Sequence, residues 1–148
     1  MTAIARVPTF AGEHVQQLPL LLIIALSGSL GALARYGTVL LAKSLWGDHF
    51  PWGTLVVNVA GCLVMGLVAA ALPEAPEKTA ATLWLRYGLM VGFLGAYTTF
   101  SAFSLETLQR LESGQPLLAL VNVLASVTLC LVASWLGLQC GRAFLSAG

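Results

Sequence analysis

Charge is what this sequence has least of. Seven Lys or Arg and six Asp or Glu make up 9% of its 148 residues, against about 25% in an ordinary soluble domain. So few charges cannot coat a globule of this length. The 58% hydrophobic content and mean hydropathy of +0.88 leave a bilayer as the solvent that fits. A net charge of +1 excludes a basic nucleic-acid binder, whose phosphate contacts need a cationic surplus, and implies no strongly charged partner. Cysteine is scarce too: Cys62, Cys130 and Cys140 form no Cys-x-x-Cys pair. An odd number in such places argues against structural disulfides and thiolate metal sites, so they read as small apolar fillers. Both histidines, His14 and His49, and the single aspartate, Asp48, stand outside the long apolar runs. A buried serine nucleophile would have no base beside it, and the chain is not read as an enzyme.

What is present is a set of long neutral runs: Glu13 to Arg35, Asp48 to Glu74, Arg86 to Glu106 and Glu112 to Arg142. Each can hold the ~20 apolar residues of a spanning helix, about twice the length of a barrel strand. None shows a barrel's alternation. The chain is therefore expected to be an all-α integral membrane protein with four transmembrane helices, over 18–42, 52–72, 83–108 and 117–139. Residues 1–17 are expected as a flexible N-terminal tail, and 18–148 as the four-helix membrane domain. Arg6 before an apolar run admits a signal peptide. The run continues through Gly28, Gly31 and Ala32, however, so an uncleaved first helix is the better fit. Trp46, Phe50 and Trp52 lie between the first two spans, and Trp84 and Tyr87 open the third, as rings that prefer the headgroup region do. Pro73 to Pro76 closes the second span, and Ser113-Gly114-Gln115-Pro116 turns the chain into the fourth.

Four spans put both termini on one side, with Arg6, Lys78, Arg86 and Arg142; the other side collects Arg35, Lys43 and Arg110. Four against three is a slight bias for positive-inside sorting. Either that excess sets a single topology, or the chain inserts both ways and pairs antiparallel with itself, as an inverted repeat made from two copies.

Polar residues inside the spans need an explanation. Thr54, Asn58 and Cys62 are four apart in the second span, and Asn122, Ser126 and Cys130 repeat the pattern in the fourth. Such stripes lie on one helix face, either as interhelical glue or as a lined pathway. Two mid-span asparagines favour the pathway. In the third span Gly88, Gly92 and Gly95 precede Thr98, Thr99, Ser101 and Ser104. Glycines followed by hydroxyl residues read as a helix broken mid-membrane, although glycines also permit close packing of an intact one. Phe100 and Phe103 are three apart on one face, and spacing alone makes them lipid-facing or core residues. Their rings nevertheless carry a positive edge that can face an anion. Glu106 is either a membrane-edge carboxylate or a pathway residue.

These residues resemble a known family. The stretches Gly28-Ser-Leu-Gly31-Ala32-Leu-Ala-Arg35-Tyr36, Gly53-Thr54-Leu55-Val-Val-Asn58-Val-Ala-Gly61 and Gly92-Phe-Leu-Gly95-Ala-Tyr-Thr98-Thr99-Phe100-Ser101-Ala-Phe103-Ser104-Leu-Glu106, with Asn122 and Ser126 after them, resemble the small fluoride channels called Fluc or CrcB. The likeness runs from about Gly28 to Gly137. It implies an antiparallel, dual-topology homodimer in the inner or plasma membrane that exports fluoride passively from the cytoplasm, lowering its toxicity, through two pores. Asn58, Phe100 and Phe103 would then contact fluoride. Thr54, Ser126 and Asn122 would continue the polar track, Glu106 would lie near its end, and Arg35 would attract anions at a vestibule. Carbonyls of Gly95 and Thr98 from both subunits would hold a structural sodium ion. Three positions depart from the family pattern: Ser27 and Ala96 stand where glycines are usual, and Ala102 where a threonine is. Ala96 makes a break harder to form, and Ala102 removes a hydroxyl.

The physics agrees with what the resemblance implies. Fluoride is strongly hydrated, so a pore must replace several water hydrogen bonds, and neutral amide or hydroxyl donors can do so and still release the ion. A rival from another class is a proton-coupled, dual-topology exporter. Such a protein generally needs a membrane-embedded carboxylate; the neutral cores contain none, and Glu106 sits towards the end of the third span. A second rival is an assembly subunit of a larger membrane complex.

Overall fold

The computed structural model describes residues 10–72 and 79–146, and for residues 10–17 the backbone alone. Residues 1–9 of the expected tail, and the expected Pro73–Pro76 stop, lie outside the described residues. Four helices long and apolar enough to cross a membrane run Leu18–Trp46, Trp52–Ala71, Ala80–Glu112 and Pro116–Ser146. No strand occurs among the described residues. The chain is an all-helical, multi-pass membrane protein. The first span belongs to α1 (Phe10–Trp46) and the second is α2 (Trp52–Ala71). The third is divided into α3 (residues 80–97) and α4 (Phe100–Glu112), and the fourth is α5 (Pro116–Ser146). α1 and α5 outrun the expected ends at 42 and 139, because nothing in the sequence there breaks a helix.

Glycine ends the helices where the chain must turn. Gly47, at φ +74°, follows α1 and donates its N–H to the Lys43 carbonyl at 2.9 Å. Gly114, also at φ +74°, closes α4: its N–H meets the Leu111 carbonyl at 3.1 Å, and the Gln115 N–H meets the Arg110 carbonyl at 2.8 Å. A left-handed residue after the last turn satisfies carbonyls that would otherwise be orphaned. Pro116 then opens α5, where its missing N–H costs nothing.

Glycine also sets which helices touch. A Cβ on Gly66 would overlap the Ser134 carbonyl, and one on Gly137 would overlap the Leu63 carbonyl. α2 and α5 therefore pack backbone against backbone, in parallel. Between α1 and α3 a Cβ on Gly31 would overlap the Phe93 carbonyl, and one on Gly92 the Ser27 side chain. Small residues at such contacts are how membrane helices gain packing without a hydrophobic drive. Two of the three departures from the resembled pattern, Ser27 and Ala96, fit this interface. Ser27 Oγ turns back to the Ile23 carbonyl at 2.6 Å, and Ala96 Cβ lies 3.9 Å from where a Gly28 Cβ would stand, an ordinary contact.

The third span holds the irregular backbone. After one α-turn, Ala80–Leu83, the segment Trp84–Leu94 winds as a π-helix, followed by a second α-turn, Gly95–Tyr97. π-winding is rare and concentrates at functional sites; the sequence gives no expectation of it. Thr98 (φ −80°, ψ 159°) and Thr99 (φ −153°, ψ 117°) are then extended, and α4 starts afresh at Phe100.

Candidate functional site: a clipped helix break and the polar track beside it

An interrupted helix orphans donors and carbonyls, and here two of the donors and one carbonyl have a traceable fate. In a continuous helix the Thr99 N–H would bond the Gly95 carbonyl; instead it donates to Asn58 Oδ1 at 2.8 Å. Asn58 Nδ2 donates back to the Thr99 carbonyl at 3.0 Å. Since one backbone group can only donate and the other only accept, this pair fixes which way the amide points. The Ala102 N–H, whose helical partner would be the Thr98 carbonyl, donates to Thr99 Oγ1 at 3.1 Å. Thr99 is thus the N-cap of α4. The carbonyls of Gly95 and Thr98 are among those released, and Arg35 Nη1 donates to the Thr98 oxygen at 3.3 Å.

Beside the break lies a cavity of about 370 Å³ whose lining includes Asn58, Thr98, Thr99, Phe100, Phe103 and Ser126. The two rings have centroids 5.3 Å apart and planes inclined at 49°. Further along, Ser126 Oγ donates to Asn122 Oδ1 at 3.4 Å, and Asn122 Nδ2 donates to Thr107 Oγ1 at 2.8 Å. Thr107 in turn donates to the Phe103 carbonyl at 2.7 Å. Thr54 Oγ1 donates to Glu106 Oε1 at 2.8 Å. Both residues line a second cavity of about 230 Å³, with Lys43, Asp48 and Arg110 on its wall. Glu106 Oε2 and Arg110 Nε are buried there without a hydrogen-bond partner among the described residues.

Asn58, Phe100, Phe103 and Ser126 thus share one cavity, Thr54 and Glu106 another, and buried Asn122 sits in the hydrogen-bonded layer next to Ser126. Gly95, Thr98 and Arg35 gather at the break. Three residues were given no site role from sequence. Thr107 extends the track one turn beyond Phe103, a spacing that could have revealed it. Thr99 carries the N-cap signal of a hydroxyl just before a helix. Arg110, whose guanidinium lies 5.8 Å from the Phe50 ring centroid, carried no such signal.

Comparison with known proteins places these residues in a wider group. Residues 22–138 match the family described as CrcB-like protein, Camphor Resistance (CrcB). The fluoride-specific ion channel FluC of Geobacter sulfurreducens (strain ATCC 51573 / DSM 12127 / PCA) is 48% identical over 122 residues, which is 82% of this chain and 96% of that protein. The fluoride-specific ion channel FluC of Coxiella burnetii (strain CbuK_Q154) is 46% identical over 121 residues, 82% of this chain and 96% of its own. That of Pelobacter propionicus (strain DSM 2379 / NBRC 103807 / OttBd1) is 46% identical over 127 residues, 86% and 96% respectively. A match that takes in every spanning helix, together with relatives this similar along nearly their whole length, shows that the chain belongs to the CrcB family.

Proposed function

We propose that this chain is a passive, fluoride-selective channel and not an enzyme, working as an antiparallel, dual-topology homodimer with two pathways. The observation that carries the reading is the cavity in which Asn58, Ser126 and the Phe100 and Phe103 rings meet, with no Lys or Arg among the described residues on its wall. Fluoride leaving water needs replacement donors. The Asn58 amide keeps one N–H beyond its pair with Thr99, and the Ser126 hydroxyl, whose one proton spans a long 3.4 Å to Asn122, becomes a second source by turning to the ion. Ring edges add a weak positive surface. Neutral groups of this kind bind the ion without holding it as a buried ammonium or guanidinium would. Beyond the rings, Asn122 and Thr54 continue the donor track towards Glu106 at one end. Arg35 by the break, and Arg110 with Lys43 at the second cavity, supply positive potential that draws anions in. Flow down a gradient from the cytoplasm lowers the fluoride burden of the cell.

The interruption at Thr98 and Thr99 stands, in this reading, near the middle of the bilayer, where free carbonyls are tolerated only if packed or coordinating. The Gly95 and Thr98 carbonyls, released from helical pairing, suit a hard cation such as sodium. Two oxygens are too few for it, so a second copy would complete the shell on the dimer axis. Arg35 occupies one lone pair of the Thr98 oxygen and leaves the other. The ion, when bound, supplies a fixed positive charge and a rivet between copies.

The test is efflux from liposomes that contain this protein alone. Fluoride flux without chloride flux, unchanged across a pH range, is the expected result; vesicles that stay fluoride-tight around a folded, paired protein overturn it. A proton-coupled exporter is the second reading, favoured by the unpartnered Glu106 Oε2. It requires that a proton gradient drive fluoride uphill and that Glu106→Gln abolish this.

A further inference from the structure

Cys62 and Cys130 each stand one helical turn beyond a pathway residue, Asn58 on α2 and Ser126 on α5. Spacing along the chain hides any relation between them, and each alone reads as filler. The parallel, glycine-mediated packing of α2 on α5 brings them together. Both line the cavity that holds Asn58, Phe100 and Phe103, and each stands one turn before the residues that meet at the Gly66–Ser134 contact between α2 and α5. Both are free thiols, neither fully buried. No third His, Cys, Asp or Glu gathers with them among the described residues. That excludes a four-coordinate zinc-type site and leaves ligation by two sulfurs.

We propose that Cys62 and Cys130 form a two-thiol site for a soft, two-coordinate cation, and that its occupation closes the adjoining pathway. Thiolate ligands select soft metals. For the mercuric ion the balance is simple. Two S–H bonds break, both protons go to solvent, two S–Hg bonds form from sulfur lone pairs, and nothing is oxidised or reduced. The bridged metal then sits beside Asn58 and the phenylalanine rings, in the space fluoride needs. The closure half of this proposal rests on the fluoride-channel reading; the metal-binding half does not.

The experiment uses the full chain carrying Cys140→Ser, which removes the remaining thiol. Protein in detergent is loaded with mercuric chloride, desalted into excess monothiol, and weighed intact. The Cys140→Ser protein is expected to retain a single mercury per chain. Adding Cys62→Ser or Cys130→Ser should let the monothiol strip it, because the second sulfur no longer acts at high effective concentration. Equal retention in all three proteins, or none in any, overturns the site. In liposomes, mercuric ion should abolish fluoride efflux by the Cys140→Ser protein and a dithiol should restore it, while either single-thiol protein loses far less. Full efflux with the mercury retained overturns closure. Vesicles tight to fluoride before any metal is added defeat the channel reading instead, and the retention assay still decides the site.

Discussion

Phe100 and Phe103 are neighbours on one face of α4, yet their environments differ: Phe100 is 77% exposed and Phe103 is 8% exposed. Replacement of each should therefore be read differently. Phe100→Ile is expected to remove most fluoride efflux while leaving the thermal unfolding midpoint in detergent unchanged. Phe103→Ile should lower both, since it also reshapes a packed interior. Normal efflux from the two variants would contradict a role for the rings. Asn58 carries more weight than a lining residue. Asn58→Leu strips partners from the part-buried Thr99 N–H and carbonyl, where a fully buried backbone group left unpaired costs roughly 1–3 kcal/mol. The expected outcome is lost efflux together with a clearly lower unfolding midpoint, measured on the same preparation.

Helices meet here through glycine, and the contacts differ in how much they tolerate. Gly137→Val would drive a side chain into the Leu63 carbonyl on α2. Overpacking of this kind costs about 1–3 kcal/mol, so that variant should elute as aggregate or unfold at a lower temperature. Gly37→Ala meets nothing within 4 Å and should be neutral or slightly stabilising, because alanine is the better helix former. The number of spans was legible from the spacing of charges alone, since a charge at bilayer depth is costly wherever it falls. The neighbourhood of the break was legible from glycines followed by hydroxyls. Its position was not, because it depends on Asn58 reaching across from α2, and a stripe on one helix does not say what it faces. Nor was the π-winding of Trp84–Leu94 legible, since the same residues can bond four or five positions back. The pairing of Asn122 with Thr107 and of Thr54 with Glu106 depends likewise on which helices adjoin.

A single copy leaves wide apolar faces uncovered. Leu26, Leu30 and Leu33 on α1 are each more than half exposed, as are Leu120, Leu124 and Leu131 on α5. Lipid or a second copy must cover them. The near-balance of Lys and Arg between the two sides makes insertion direction easy to bias. Ser113→Lys with Gln115→Lys, in the exposed turn before α5, should force one orientation. Such a protein is expected to conduct nothing alone and to regain efflux when co-expressed with a variant biased the other way by Gln139→Lys and Ser146→Lys. Full efflux from either variant alone would rule out antiparallel assembly. The Asn58 clip across the helix break has a further consequence. In the channel proposed above, one amide both splices the severed backbone and presents itself to the permeating ion, so that filter cannot be retuned there without unfastening its own frame. Variants with altered halide preference should therefore be sought at Ser126, whose hydroxyl bonds only another side chain, and hardly ever at residue 58.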